Sequence, residues 1–273
     1  MPEAPELEVV KDYLVQHLVG QEVTGAQVLR PSVLRSLQGE FEEDIVGRRL
    51  QGVDRNGKYL LLSMSGDRLI VINPKLTGGL QYCPRQQRML KRTCVVLVLD
   101  GGEHLRYTDD RQMGMLYYVA GDQLELVPGL MEQGPDVLAP QSYEEFKLRL
   151  RHFHGEIKGV LTRGRVLAGI GNAYADEILF AAKIYPFRRR KQLTEPEIHR
   201  LFKAARQVVE EATSTVRDRM NGRLDHKPRD FLKVHNKGGQ PCPDCQSQIS
   251  QITANRRITS FCRRCQPGML IKN

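Results

Sequence analysis

The chain has 273 residues, of which 40% are hydrophobic and 27% are charged, a composition typical of a soluble globular protein with about two domains. It contains no apolar run of about 18 residues, so we expect no membrane-spanning helix. Acidic residues stand at the N-terminus, where a signal peptide would need a basic and then an apolar region, so we expect a cytoplasmic protein.

Basic residues are concentrated in the second half of the chain. Residues 1–130 contain 15 Lys and Arg against 17 Asp and Glu, a balance of −2, whereas residues 131–273 contain 26 against 15, a balance of +11. A basic half is typical of a protein that binds a polyanion. Charge alone leaves open the alternative of a solvated surface that only aids solubility.

The first helix is predicted close behind Pro2. Its apolar residues recur at helical spacing, before a glycine stop, and are Leu7, Val10, Leu14 and Leu18. Removal of the initiator methionine would leave Pro2 with a free secondary amine beside the carboxylate of Glu3. Such an amine can attack a carbonyl-like carbon and form a Schiff base, whereas the simpler alternative is a loose terminus.

From residue 22 to about residue 120 the pattern indicates a β-sandwich or barrel, because short strand-like runs alternate with turn signals. Examples of these runs are Arg49–Val53, Tyr59–Met64, Leu69–Ile72, Thr93–Leu99, His104–Thr108 and Met115–Val119. Cys83 and Cys94 are predicted to be buried small hydrophobic residues, since a disulfide is not expected in the cytoplasm. The glycine- and proline-rich stretch from Gly121 to Pro140 is predicted to be a linker.

The second half is predicted to be helical. Three helices are expected: from the capping-box pair Ser142 and Glu145 to about Arg151, from Asn172 to about Ala182, and from the pair Thr194 and Glu197 to about Thr215. Residues 217–239 are charged and show little periodicity, so we predict a mobile loop there.

Four cysteines near the C-terminus have the spacing of a zinc site. Cys242-x2-Cys245 and Cys262-x2-Cys265 enclose 16 residues, and strand-like runs on either side of residues 254–256 predict a β-hairpin between them. A closed set of four thiolates leaves no position for a substrate, so the metal would be structural. An unpaired redox C-x-x-C motif is the alternative.

Three polar turns could carry further functional residues. Gly169-Ile170-Gly171-Asn172 precedes a helix, and its N–H groups with the Asn172 amide could hold a phosphate, although an ordinary helix corner is the alternative. Lys58 stands at a hairpin turn and Arg111 in the polar turn 109–114, and both could simply be exposed. No P-loop or Rossmann fingerprint is present, which argues against a nucleotide-cofactor enzyme.

Taken in order, these motifs resemble the formamidopyrimidine-DNA glycosylase (Fpg) and endonuclease VIII family over essentially the whole chain. The start Met-Pro-Glu-Ala-Pro-Glu-Leu-Glu is similar to the Fpg start Met-Pro-Glu-Leu-Pro-Glu-Val-Glu. Other similar stretches are 57–60, 76–78, 134–136, 168–177, 241–245 and 257–265.

The resemblance implies an α+β fold: a β-sandwich preceded by a helix, then a helical domain with a helix-two-turn-helix and a four-cysteine zinc β-hairpin. We expect the catalytic domain in residues 1–125, the helical DNA-binding domain in 126–236 and the zinc hairpin in 237–273. One structural zinc ion would bind the four late cysteines.

The resemblance also implies a bifunctional DNA glycosylase and AP lyase that removes oxidised purines (8-oxoguanine and formamidopyrimidines) in base excision repair. Pro2 would attack C1′ of the damaged nucleotide and Glu3 would protonate the sugar ring oxygen, with β- and then δ-elimination following. Lys58 would contact the lesion-flanking phosphate or the base, and Asn172 and Arg257 would grip phosphates. The partner would be double-stranded DNA with a damaged base or abasic site, lying in a cleft between the domains. We expect a monomer in the bacterial cytosol or nucleoid.

The chain departs from the family pattern at several positions. Leu76 stands in place of an intercalating methionine and Met113 in place of a phenylalanine at the duplex gap, while Arg111, which contacts the orphaned base in Fpg, is kept. The other replaced stretches are residues 73–75, 162–164 and 235–237. Two alternatives follow: an endonuclease VIII-like glycosylase for oxidised pyrimidines or other adducts, and a non-catalytic zinc-finger protein that binds damaged DNA.

Overall fold

The computed structural model of the protein describes residues 1–254 and 257–268. Two compact units are present: unit 1 contains residues 1–132 and 215–228, and unit 2 contains residues 133–214 and the chain from Arg229 onward. The predicted domain boundaries after residues 125 and 236 stay predictions. In the part of the chain that the structure describes, no helix is long and apolar enough to cross a membrane.

Unit 1 is a helix followed by two β-sheets. Helix α1 covers Ala4–Leu18, and the short α2 covers Phe41–Asp44. The strands are β1 Val23–Val28, β2 Leu34–Ser36, β3 Leu50–Asn56, β4 Tyr59–Met64, β5 Arg68–Asn73, β6 Gly79–Pro84, β7 Thr93–Leu99, β8 Glu103–Thr108 and β9 Met115–Ala120. One sheet has the order β1-β7-β8-β6 and the other β2-β9-β5-β4-β3; the β2–β9 pair is parallel and the remaining pairs are antiparallel.

The two sheets form the predicted β-sandwich. Leu62 and Ile70 from the five-stranded sheet line the same small internal cavity as Val95 and Leu105 from the four-stranded sheet. Apolar side chains on the inner faces of both sheets therefore make one core, as in other sandwiches. Cys83 and Cys94 are buried without disulfides, as predicted.

Three strands inside the predicted β region were not singled out from the sequence, and their composition explains why. Strand β1 contains Gly25 and strand β6 begins with Gly79 and ends with Pro84, residues that are depleted in strands. Both strands lie at sheet edges, where proline and glycine are tolerated. Strand β2 has three residues, too few for a periodic pattern.

Unit 2 contains helices and the C-terminal hairpin. The helices are α3 Tyr143–Arg151, α4 Ile157–Thr162, α5 Asn172–Ala181 and α6 Glu195–Met220, and the hairpin strands are β10 Ser250–Ala254 and β11 Arg257–Phe261. Both predicted capping pairs are confirmed, because Ser142 N donates to Glu145 Oε2 at 2.9 Å and Thr194 N to Glu197 Oε2 at 2.8 Å. The hairpin turn predicted at 254–256 falls largely on residues 255–256, which lie outside the described residues.

The predicted mobile loop begins too early. Helix α6 continues to Met220, and its last turn from Thr215 belongs to unit 1, where Arg217 Nη2 lies 2.7 Å from Asp12 Oδ2. Asn221 and Gly222 follow with left-handed backbone (φ 44° and 74°), which ends the helix. Residues 217–220 are therefore helical, contrary to the prediction.

Candidate catalytic and DNA-binding site

The N-terminus is an ordered part of unit 1. Pro2 and Glu3 are buried, and Glu3 is the N-cap residue of α1. Glu3 N donates to Glu6 Oε2 at 2.8 Å, and Leu7 N donates to Glu3 O at 3.1 Å. The alternative of a loose terminus is therefore wrong, since backbone hydrogen bonds fix the residue beside Pro2. The positive end of the helix also favours the two carboxylates of its first turn.

Pro2 lines a concavity in unit 1. The walls come from α1, from both sheets and from the segment after α6, and they include Leu7, Leu60, Pro74, Tyr107 and Leu224. Most of the lining is apolar, although Glu6, His226 and Lys227 also contribute, so an amine at this position would be partly desolvated. Low solvation is one way in which proteins keep an amine unprotonated and nucleophilic.

Lys58 lies in a two-residue hairpin turn between β3 and β4. Asn56 pairs with Tyr59, so Gly57 and Lys58 form the turn, and Gly57 adopts the left-handed conformation (φ 59°) that such tight turns require. Arg55 Nη1 donates to Gly57 O at 3.0 Å, and this hydrogen bond stabilises the turn. The half-buried Lys58 therefore lies in a turn whose backbone is held by hydrogen bonds.

Helix α1 and the Lys58 turn are held together by Glu8. Its Oε2 accepts a hydrogen bond from Arg55 Nε at 2.6 Å, and Lys11 forms a second ion pair with the same carboxylate. Burial raises the pKa of Glu8, but the hydrogen bonds and charges of Lys11 and Arg55 outweigh it, so the pKa is lowered. The ionised carboxylate therefore fixes the Pro2 helix and the Lys58 turn within one unit.

Leu76, Arg111 and Met113 project from two neighbouring turns of unit 1. The side chains of Leu76 and Met113 are 43% and 47% exposed, so both are accessible to a ligand. Arg111 is exposed between them in sequence, in the turn that connects β8 to β9. The structure therefore brings these three predicted contact residues to two adjacent turns.

Buried Asp109 ties these two turns together. Its Oδ1 accepts from Thr77 Oγ1 and from Arg111 N at 3.1 Å, and its Oδ2 accepts from Gly114 N at 2.7 Å and Tyr107 OH at 3.3 Å. No role was predicted for this residue from the sequence. An acidic residue opening a polar turn was visible in the sequence, but its partner Thr77 is 32 positions away.

In unit 2, Asn172 and Arg257 are brought together. Asn172 begins α5 after the glycine turn, in which Gly169 has φ 94°, and its Nδ2 donates to Ile258 O at 2.7 Å. Arg257 precedes Ile258 at the start of β11 and is exposed. Asn172 Oδ1 is buried and has no hydrogen-bond partner among the described residues. A phosphodiester offers only acceptors, so a phosphate contact would fall to N–H groups.

A buried charged network, missed from the sequence, fixes the hairpin strand β11. Asp176 Oδ2 accepts from Ser260 N at 3.1 Å and lies 2.7 Å from His235 Nδ1. Lys158 Nζ lies 2.7 Å from Asp176 Oδ1, outside hydrogen-bond geometry, so this contact is an ion pair. The same ammonium donates to Ile258 O at 2.7 Å. Residues from α4, α5 and β11 are thereby locked to one another.

Glu177, the next residue of α5, holds the chain that leads to the cysteines. Its carboxylate accepts from the backbone N–H groups of Lys233, Val234 and His235, all at 2.8–2.9 Å. Burial raises the pKa of Glu177, and the three backbone hydrogen bonds oppose this effect. Residues 233–235 are therefore held in place through their backbone N–H groups, and these hydrogen bonds do not depend on the side chains at the three positions.

The four late cysteines form one cluster. Their sulfur atoms all lie within 4.8 Å of one another, with Cys242 Sγ 3.8 Å from Cys265 Sγ and Cys245 Sγ 3.5 Å from Cys262 Sγ. Four sulfurs at about 2.3 Å from one zinc ion stand about 3.8 Å apart, so the cluster fits zinc binding. Hydrogen bonds with Ser247 lower the pKa of Cys245 to about 6, whereas burial raises the pKa of Cys262 and raises that of Cys265 to about 12.

Comparison with known proteins identifies the family. The family model "Formamidopyrimidine-DNA glycosylase N-terminal domain" matches residues 1–116, and "Formamidopyrimidine-DNA glycosylase H2TH domain" matches residues 134–221. The chain belongs to the formamidopyrimidine-DNA glycosylase family. It is similar to the formamidopyrimidine-DNA glycosylases of Pelotomaculum thermopropionicum and Desulforamulus reducens, each 37% identical over 97% of this chain and 99% of the relative.

Solved glycosylase structures have the same fold. One is a complex of the Lactococcus lactis Fpg with DNA that contains an abasic site, with a TM-score of 0.89 and 26% identity over 97% of this chain and 100% of that one. Another, from the same protein with DNA that contains FAPY-dG, has the same TM-score, identity and coverage. The α+β fold with sandwich, helix-two-turn-helix and cysteine hairpin is thus confirmed, and the chain is a DNA glycosylase of base excision repair.

Proposed function

We propose that this glycosylase removes oxidised purines, 8-oxoguanine and formamidopyrimidines, from double-stranded DNA and then cleaves the abasic strand as an AP lyase. The observation that carries the proposal is the burial of Pro2 and Glu3 side by side at a helix start that adjoins an apolar concavity. Relatives named for formamidopyrimidine and solved complexes with abasic and FAPY-dG DNA support the substrate class.

The reaction needs an unprotonated Pro2 amine, which the apolar surroundings favour. After removal of Met1, the amine attacks C1′ of an extruded nucleotide while the Glu3 carboxyl group protonates the ring oxygen, and the base leaves. The resulting iminium acidifies the adjacent sugar carbon, so β- and then δ-elimination cleave the strand. The nucleotide must be extruded because a stacked duplex blocks access to C1′.

The remaining predicted residues position the DNA. Lys58 contacts the phosphate or base at the lesion, and Asn172 with Arg257 grips flanking phosphates, which fixes register without reading sequence. The exposed apolar side chains of Leu76 and Met113 fill the gap left in the duplex, and Arg111 contacts the orphaned base.

Zinc at the cysteine cluster is the remaining part of the proposal. A bound ion would cross-link the two ends of the hairpin through Cys242, Cys245, Cys262 and Cys265 and would take no part in the chemistry. The chain's own residues, above all Asp176 and Lys158, then set the position of β11 and Arg257. We also infer a monomer in the bacterial cytoplasm.

Borohydride trapping on abasic-site DNA tests the nucleophile. We expect a covalent adduct, with the N-terminal peptide as the site of attachment. The matched control is the same chain with added residues ahead of Pro2, which keeps every side chain but converts the amine to an amide. Undiminished trapping by the extended chain would refute Pro2 as the nucleophile.

A panel of duplexes then tests the substrate class. Faster release of 8-oxoguanine and formamidopyrimidines than of oxidised pyrimidines supports the proposal, and the reverse order identifies the endonuclease VIII-like alternative. Glu3→Gln should lose base release and retain trapping on DNA that already lacks the base. Tight binding of damaged DNA without release or trapping would identify the non-catalytic alternative.

A further inference from the structure

Two segments of unit 2, residues 151–156 and 188–191, lie side by side, and together we call them the basic cluster. Arg190 N donates to Gly155 O at 2.9 Å. The Arg190 side chain also crosses to the first segment, where its Nε donates to Phe153 O at 2.8 Å. Hydrogen bonds of both backbone and side chain therefore hold the two segments in one arrangement.

The basic cluster gathers positive charge that its own residues do not neutralise. It contains five Lys and Arg residues against one acidic residue, a balance of +4. Of the five, Arg188 forms an ion pair with Glu197, and Arg190 is bound to carbonyl oxygens. The other three are exposed, and none of them forms an ion pair in the part of the chain that the structure describes: Arg151, Arg189 and Lys191.

Such a cluster is costly for the DNA-free protein. Other exposed cations of unit 2 have an acid beside them, as Lys183 has Asp244 and Arg206 has Glu210. Like charges that are held together without acids destabilise the compact state by repulsion. A polyanion that binds there removes the repulsion and releases its own counterions. The cluster therefore fits a partner with several closely spaced negative charges, such as a nucleic-acid backbone.

The basic cluster adjoins the residues proposed above to grip phosphates. Ile157 N, at the start of α4, donates to Arg188 O at 2.9 Å, so the cluster leads directly into this helix. The next residue, Lys158, donates to Ile258 O at 2.7 Å, and the same oxygen accepts from Asn172. One lysine side chain therefore spans the distance from the edge of the cluster to strand β11.

We propose that the basic cluster binds backbone phosphates of the same duplex, outside the stretch that Asn172 and Arg257 hold. Arg151, Arg189 and Lys191 supply the charges. These contacts carry no sequence information, so they add affinity for DNA of any sequence and hold the flanking duplex against unit 2. The place of the cluster along the duplex rests on the proposed roles of Asn172 and Arg257, whereas the binding of DNA by the cluster does not depend on the reaction.

Binding of an undamaged duplex of about 30 base pairs, measured over a range of salt concentrations, tests the cluster. A triple variant, Arg151→Gln with Arg189→Gln and Lys191→Gln, should bind more weakly. The slope of log K against log salt should become shallower by about 2–3, because each lost phosphate contact accounts for about 0.9. Arg190 is left in place, so the hydrogen bonds between the two segments are kept.

The matched control removes three charges from exposed positions of unit 2 outside the cluster, through Lys183→Gln, Lys203→Gln and Arg206→Gln. Its slope should equal that of the wild type. A charge-retaining variant, Arg151→Lys with Arg189→Lys and Lys191→Arg, should also keep the wild-type slope. Equal slopes in the wild type and the glutamine variant of the cluster, or equal losses in that variant and the control, would overturn the proposal.

Duplex length tests where the cluster binds. A duplex of about 12 base pairs with a stable abasic-site analogue at its centre lacks about 9 base pairs, roughly 30 Å, on each side of the longer one. This length exceeds the radius of about 14 Å expected for a unit of this size. The glutamine variant of the cluster should bind the short duplex as well as the wild type does. An equal loss on short and long duplexes would place the contacts within the central stretch and overturn the proposed position.

The measurement on undamaged DNA needs neither a lesion nor a free Pro2 amine. Failure of adduct trapping would thus sink the proposed function without deciding this one.

Discussion

Replacing Asp109 by asparagine should destabilise unit 1 and loosen the turns that carry Leu76 and Met113. Each carboxylate oxygen of Asp109 accepts two hydrogen bonds, Oδ1 from Thr77 and Arg111 and Oδ2 from Tyr107 and Gly114. Asparagine offers one oxygen and one NH₂ group. The hydroxyl on the NH₂ side can turn and accept from it, but the backbone N–H on that side, of Arg111 or Gly114, must then face a donor in a site that is 1% exposed.

The magnitude follows from the number of lost hydrogen bonds. One backbone N–H loses its acceptor, and a buried donor left without an acceptor costs about 1–3 kcal/mol, so the free energy of unfolding should fall by about 1–3 kcal/mol. Urea unfolding at neutral pH measures it, followed by circular dichroism because the chain has no tryptophan. The midpoint should fall without a change in slope.

Asp110→Asn is the matched control, because it makes the same chemical change at the next residue, where the side chain is 58% exposed. A surface change of this kind should cost less than about 0.5 kcal/mol. Binding to abasic DNA should weaken in Asp109→Asn and not in the control. A loss for Asp109→Asn as small as that of the control would refute the argument that Asp109 ties the two turns.

The effect of Asp109 should also depend on pH. Burial raises its pKa, but the hydrogen bonds from Thr77, Gly114, Arg111 and Tyr107 outweigh burial and lower it. A carboxyl group with a lowered pKa in the folded state contributes stability above its ordinary pKa and loses it as pH falls through the folded pKa. The difference between wild type and Asp109→Asn should therefore shrink below about pH 4. A difference that grows on acidification would contradict the assigned direction.

Three further predictions concern the cysteine cluster, the buried ion pair of Lys158 with Asp176, and the exposed side chain of Leu76. Cys245→Ser should lower bound zinc from about one ion per chain, by mass spectrometry, and weaken DNA binding. Lys158→Met leaves Asp176 buried and should cost about 3–5 kcal/mol in unfolding free energy, with exposed Lys191→Met as the silent control. Leu76→Ala should slow base release from duplex DNA and not the trapping of a single-stranded abasic site, since only a duplex has a gap to fill.

Much of the fold was predictable because the pattern is local. The runs Tyr59–Met64 and Thr93–Leu99 are rich in leucine and β-branched residues and have the predicted bounds. The capping pairs at Ser142 and Thr194 fixed two helix starts for the same reason. Strands β1 and β6 were not singled out because their own residues have low strand propensity. They are extended because they pair with the neighbouring strands β7 and β8.

Within the site, motif residues were predicted and the residues that hold them were not. Pro2, Lys58 and the cysteines stand in short characteristic stretches, whereas Asp109 and Asp225 act through partners distant in the chain. Asp225 and Arg92 are separated by 133 positions, and no local pattern reports such a pair. The same reason made residues 221–228 look like a mobile loop, because their charges are satisfied by strands and turns of unit 1.

The split composition of unit 1 has a consequence for synthesis on the ribosome. Residues 1–132 emerge first, but the unit also needs residues 215–228, which follow only after residues 133–214 have been made. At about 5–20 residues per second this interval lasts roughly 4–16 s. During it, Arg92 has no Asp225 to pair with, and the wall that Leu224 and His226 supply is missing. The proposed mechanism requires removal of Met1. The nascent N-terminus is more accessible to a peptidase during this interval, so the order of translation would favour exposing the Pro2 amine before the last wall is in place.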